Sequence, residues 1–142
     1  MSVMKADQHV DVRPWHVLAF GSALGSAALV ERVHGFRSGR QYVLCHGAPT
    51  LNHLTLAALA LVAGAFLTAV AGAAAAILGS EAPRRPFLIA CMVVALALVV
   101  AADRVDAVGE QRAANLAAGR PGENDCDYTP QVYSATPGWF SW

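Results

Sequence analysis

Charge is what this sequence has least of. Only 14% of its 142 residues are Asp, Glu, Lys or Arg, against roughly a quarter in an ordinary soluble domain, while 56% are hydrophobic. The formal net charge is zero, and no basic run exceeds the pair Arg84-Arg85. The positive footprint that a phosphate backbone requires is missing, so nucleic acid is not expected as a partner. Motifs that carry chemistry are equally scarce. There is no Cys-x-x-Cys, no zinc-ligand spacing, no glycine-rich phosphate loop and no Ser/His/Asp set with positional logic. These gaps argue against an enzyme, and no catalytic residue, metal or cofactor is expected. A cleavable signal peptide is not expected either. Residues 1–13 mix Lys5, Asp7, Asp11 and Arg13, which is too acidic and too long for a basic leader region. No internal repeat is evident.

The charges that exist leave three long intervals empty: 14–30, 41–80 and 86–102. Each is near or above the roughly 18 residues at which lipid becomes the default solvent for a helix. A soluble bundle would need other segments to cover three such helices, and the chain has almost none to spare. The expected fold is therefore all-α: an integral membrane protein with three transmembrane helices, the third extended beyond the membrane, and an irregular aromatic C-terminal tail. Residues 1–14 form a polar N-terminal arm, 15–118 the membrane domain and 119–142 a docking tail. The spans fall at about 15–34, 51–79 and 86–103, with a helical extension over 104–118.

Trp15 suits the membrane interface, where indole rings concentrate. Glu31 and Arg32 stand where the first helix should leave the hydrocarbon, and Asp103 and Arg104 do so for the third; at span ends such side chains can reach water. The 35–50 segment reads as a loop closed by Gly47-Ala48-Pro49-Thr50, with Thr50 as the expected N-cap of span two. That span, at 1.5 Å per residue, reaches about 42 Å and must tilt or protrude. The 81–86 hairpin is short, which makes spans two and three antiparallel neighbours. In the extension, Val105, Val108, Arg112 and Leu116 recur about once per turn.

Small residues mark the helix contacts. Span one contains Gly21-x-x-x-Gly25, and span two repeats Ala60, Gly64, Thr68, Gly72 and Ala76 at every fourth position. Such stripes let backbones approach closely, which drives helix association in lipid. Three spans place the 35–50 loop and the tail on one membrane face, with the arm and hairpin on the other. By raw count the basic residues favour the loop and tail face, which would make it cytoplasmic. Those in the tail are interleaved with Asp103, Asp106 and Glu110, however, and the only short loop with paired arginines is the hairpin, so they orient the chain poorly. The cysteines supply a second argument. Cys45 and Cys126 fall on the same face in non-helical segments and form a candidate disulfide, which requires an oxidising compartment. The tail is then on the exported side and the N-terminus in the cytoplasm. Cys91, inside span three, reads as packing filler.

His34 and His53 are expected to make ordinary hydrogen bonds; if span one continues to Phe36 they lie at compatible depth near one face, and haem ligation by the pair is the alternative. Tyr128, Tyr133, Trp139, Phe140 and Trp142 crowd into the last 15 residues. Exposed rings of this density call for a surface to lie on, either a partner subunit or the headgroup region. The functional expectation is a non-catalytic accessory or scaffolding subunit of a larger bacterial inner-membrane complex, an electron-transfer assembly in the first place. Its partners would be other integral membrane subunits and the lipid bilayer. The alternatives are a haem- or quinone-binding anchor subunit and a self-associating transporter or channel component.

Overall fold

The computed structural model describes residues 12–79, 85–119, 129–136 and 138–139. Its elements run in the order α1 (Pro14–Ser38), β1 (Gln41–Leu44), α2 (Pro49–Leu78), α3 (Arg85–Ala118) and β2 (Gln131–Ser134). Most of the expected arm and of the 81–86 hairpin lies outside the described residues.

Proline opens α1 and α2 in their first turns, where its missing N–H is no loss. At α1 the Arg13 N–H donates to His16 Nδ1 at 2.9 Å, so a histidine takes the part of the acidic or amide residue in a capping box. The helix does not end at 34. Glu31 and Arg32 lie inside it, and it closes only when the Gly39 N–H donates to the Gly35 carbonyl at 2.8 Å. Thr50 is not the cap of α2, as the sequence led one to expect. Ala48 is the cap residue, and its N–H is held from outside by Gln131 Oε1 at 2.9 Å. α3 runs unbroken from Arg85 to Ala118.

The segments outside the helices depart from expectation. Within the 35–50 segment Gln41–Leu44 is a strand, and Gln131–Ser134 makes the tail regular over four residues rather than irregular throughout. The two pair antiparallel, with Tyr42 opposite Tyr133 and Val43 opposite Val132. Val and Tyr favour such extended, half-buried pairing. The ribbon sits on the helices through a cluster of Leu44, Leu51 and Ala113, with Tyr42 and Tyr133 packed against it.

The three helices pack on one another, α2 contacting α3 most extensively and α1 next, and α1 also touching α3. Their shared core is built of small residues: Ala28, Ala58, Val62, Ala65, Ala95, Val99 and Ala102. A lower cluster joins Val17, Ala76 and Leu88, with Cys91 and Met92 beside it. The large apolar side chains point the other way. Leu56 is 62% exposed, Leu67 68% and Ile77 70%, and Val93 of α3 is 58% exposed. In water this arrangement would be inside out, because burial of large apolar groups is the dominant favourable term in folding. Among the described residues, α2 and α3 are long and apolar enough to cross a membrane. α1 falls short of that apolarity because Glu31, Arg32, Arg37 and three histidine or serine positions before them interrupt it.

The glycines explain how close the helices come. A Cβ on Gly21 would collide with the Cβ of Ala69, and one on Gly25 would strike the ring of Phe66, so α1 rests on α2 at bare backbone. Gly72 faces Cys91 Sγ in the same manner. Gly64 differs, since its nearest neighbour would be Leu98 Cδ1 at an ordinary 3.5 Å; the carbonyl of Gly64 accepts the Thr68 hydroxyl at 2.8 Å. Gly21→Leu is therefore expected to destabilise the protein by about 2–3 kcal/mol through overpacking, whereas Gly64→Ala should be neutral or gain about 0.5–1 kcal/mol of helix propensity. Thermal unfolding in detergent, followed by far-ultraviolet circular dichroism, distinguishes the two. Equal effects would contradict the tight contact at Gly21.

Candidate functional site

Asp103, Asp106 and Glu110 recur at i, i+3 and i+7 along α3, which places them on one face of the helix. That face is turned inward. Asp103 is 6% exposed and Asp106 9%, which corrects the expectation that acids at this span end reach water. The reason is the ribbon: Tyr133 of β2 lies over the helix at Gly109, where a Cβ would sit 2.5 Å from the tyrosine oxygen. The once-per-turn row of Val108, Arg112 and Leu116 faces outward instead.

Across from the acids, α1 supplies Arg32. Its Nη2 donates to Asp106 Oδ2 at 2.5 Å and its Nη1 to the Ala28 carbonyl at 3.0 Å, while Nε is buried and has no partner. Asp103 Oδ1 accepts the backbone N–H of Trp139 at 2.9 Å, fixing the tail against α3. At the outer rim, Tyr42 donates to Glu110 Oε1 at 3.0 Å and Arg40 Nε lies 3.3 Å from the same oxygen. Four elements thus converge on one charged cluster where the helices emerge. The i, i+3, i+7 acids were visible in the sequence and could have suggested a buried face, but nothing local marks Arg32 as their partner.

Burial dominates the electrostatics. It lifts Asp106 from its ordinary 3.8 to about 6, against the opposing attraction of Arg32 and with repulsion from Asp103 added. Tyr133 is pushed up to about 12, first by burial and then by the charges of Asp106 and Glu110. Tyr42 is raised too, by burial and by its hydrogen bond to Glu110. A buried pair whose carboxyl rises in this way recovers only part of its desolvation cost.

Beside the pair a cleft of about 470 Å³ opens between α1, the first turns of α2 and β2, lined among others by Arg32, Asn52, Thr55, Asp106 and Ser134. A second groove of about 380 Å³ adjoins it, sharing Arg32, Phe36 and Leu59, and is otherwise lined by Leu29, Val33 and Arg37. The first is mixed in polarity and the second mostly apolar.

The remaining candidate residues are dispersed. His34 and His53 are both exposed, and His34 Nδ1 lies 3.2 Å from the Val30 carbonyl of its own helix. Among the described residues no group of three or more His, Cys, Asp or Glu is arranged to hold a metal ion. Cys91 is a free thiol and Cys45 is not; Cys126 lies outside the described residues. So do Tyr128, Phe140 and Trp142 of the docking candidates. Tyr133 is turned onto α3, and Trp139 is 38% exposed. No family model matches the chain, and comparison with curated proteins and with solved structures finds no match.

Two outcomes follow for the cluster. Arg32→Ala leaves Asp106 buried without its cation and should cost about 3–5 kcal/mol, while the double variant Arg32→Met/Asp106→Leu regains most of that loss; chemical denaturation in detergent reads both. The second concerns pH. Because Asp106 titrates at about 6 in the folded protein against 3.8 ordinarily, the folded state binds this proton more tightly than the unfolded chain. Its contribution to stability is complete below about pH 4 and declines as pH rises to about 6, by up to about 3 kcal/mol. Melting should accordingly occur at higher temperature at pH 5 than at pH 8, and Asp106→Asn should flatten that difference.

Proposed function

We propose that this chain is a non-catalytic accessory or scaffolding subunit of a larger membrane assembly, embedded through all three helices. The observation that carries the reading is the inverted apolar distribution. Alanine and glycine dominate the helix contacts while many large aliphatic side chains, Leu56, Leu67, Val70, Ile77 and Val93 among them, face outward, which suits acyl chains or neighbouring membrane helices as the surrounding medium. α1, with Arg32 matched by Asp106, is the third span of this proposal. The bacterial inner membrane is the proposed location and an electron-transfer complex the proposed setting; the alanine-rich composition and the small three-helix build support them.

Trp139 is the described part of the proposed docking tail, and it is positioned by Asp103. Tyr133 serves the ribbon rather than a partner. We further propose that Cys45 pairs with Cys126 on the exported face, the N-terminus being cytoplasmic. The support is that Cys45 is not a free thiol whereas Cys91 is.

Membranes extracted with alkaline carbonate should retain the chain in the pellet. In mild detergent it should migrate with other membrane subunits at fixed stoichiometry, and Trp139→Ser with Trp142→Ser should release it. Recovery as a folded monomer in the aqueous fraction overturns the reading, and a homo-oligomer free of foreign subunits favours a transporter or channel component. Alkylation without reduction tests the cysteines: Cys91 alone should react, and modification of Cys45 and Cys126 would refute their pairing. A cofactor-bearing anchor using His34 and His53 would instead announce itself by a Soret band in the purified protein.

A further inference from the structure

Resting on the membrane reading, we infer that the groove between α1 and α2 holds an anionic phospholipid, with an acyl chain along Leu29, Val33 and Leu59 and the phosphate at Arg37. Leu29, Val33, Phe36 and Arg37 are spaced i, i+4, i+7 and i+8, so they form one side of α1, and Leu59 of α2 supplies the facing wall. Along that side the groove changes character. Its deeper end is aliphatic, and its end near the ribbon carries two guanidinium groups, Arg32 and Arg37.

The charge balance decides the headgroup. Asp106 is committed to Arg32, Glu110 to Arg40 and Tyr42, and Asp103 to the Trp139 N–H. Glu31 stands on another face of α1 by helical spacing. Arg37 makes no hydrogen bond or ion pair among the described residues and is exposed, so the rim has one uncompensated positive charge. Beneath it, Arg32 is balanced by Asp106, and its buried Nε lacks an acceptor. A guanidinium binds a phosphodiester through paired N–H donors. A zwitterionic lipid offers the same phosphate with a cation attached, which the arginine repels. Val33 and Phe36, 54% and 76% exposed, would gain a covering chain.

The test reconstitutes the full chain into phosphatidylcholine vesicles containing a trace of spin-labelled phosphatidylglycerol or spin-labelled phosphatidylcholine, and compares the motionally restricted fractions. The wild type should favour phosphatidylglycerol by about five-fold, the scale of one basic residue at an anionic surface. R37Q should bring the ratio close to one. V33W, which fills the groove and keeps the charge, should reduce the restricted fraction of both probes. R112Q, an exposed arginine on α3, should leave the preference intact. An inserted wild type with equal ratios, or R37Q with the preference undiminished, overturns the site alone. A chain that fails to float with the vesicles overturns the membrane reading and the site together.

Discussion

Backbone contact between helices, made possible by glycine and alanine, is the constraint from which the rest of this structure follows. In lipid, the proposed surroundings of these helices, apolar side chains would gain nothing by leaving the solvent, so association would depend on close packing. Gly21 against Ala69 and Gly25 against Phe66 bring α1 onto α2, and Gly72 against Cys91 brings α3 in beside them. With much of the interior filled by small residues, many of the large aliphatic groups on these helices, Leu56, Leu67, Ile77 and Val93 among them, stand at the perimeter, while Val17, Val62, Leu88 and Val99 stay inside. The same proximity allows one arginine of α1 to reach across to an aspartate of α3 at 2.5 Å.

That ion pair works by exclusion more than by attraction. Burial raises Asp106 so far that the net gain from pairing is small. Any rotation or slide of α1 against α3, however, would leave a guanidinium or a carboxylate buried alone, at a cost of several kcal/mol. The pair therefore penalises wrong registers of a smooth alanine interface that would otherwise tolerate many. The ribbon reinforces this by sealing the cluster from above, with Tyr133 over Gly109 and Trp139 tied to Asp103.

Local signals were readable in the sequence and non-local ones were not. The uncharged intervals marked α2 and α3 because a membrane-length run needs no partner to be recognised. Gly21 and Gly25 stood out for the same reason, whereas Gly64, in an equally regular stripe, makes only ordinary contact; periodicity cannot tell which side of a helix meets its neighbour. The strands were hidden because Gln41–Leu44 and Gln131–Ser134 are four residues each and pair across the entire bundle. Once the ribbon was missed, the acidic face of α3 was bound to be read as water-facing, since Tyr42, Tyr133 and Trp139 cover it together with Arg32 of α1. Thr50 was read as a cap from chemistry that is sound at most helix starts, but Gln131, 83 positions away from Ala48, performs that task.

The ribbon also fixes an order of events during synthesis. β1 emerges before α2 and α3, yet among the described residues its strand partner is β2, which follows both helices in the chain. Residues 41–44 must therefore wait, unpaired with β2, until residues 131–134 have left the ribosome. Non-local closure of this kind is slow, and it comes last. The strand pair thus acts as a completion signal: a truncated chain can build its helices but cannot shut the lid over its own buried charges.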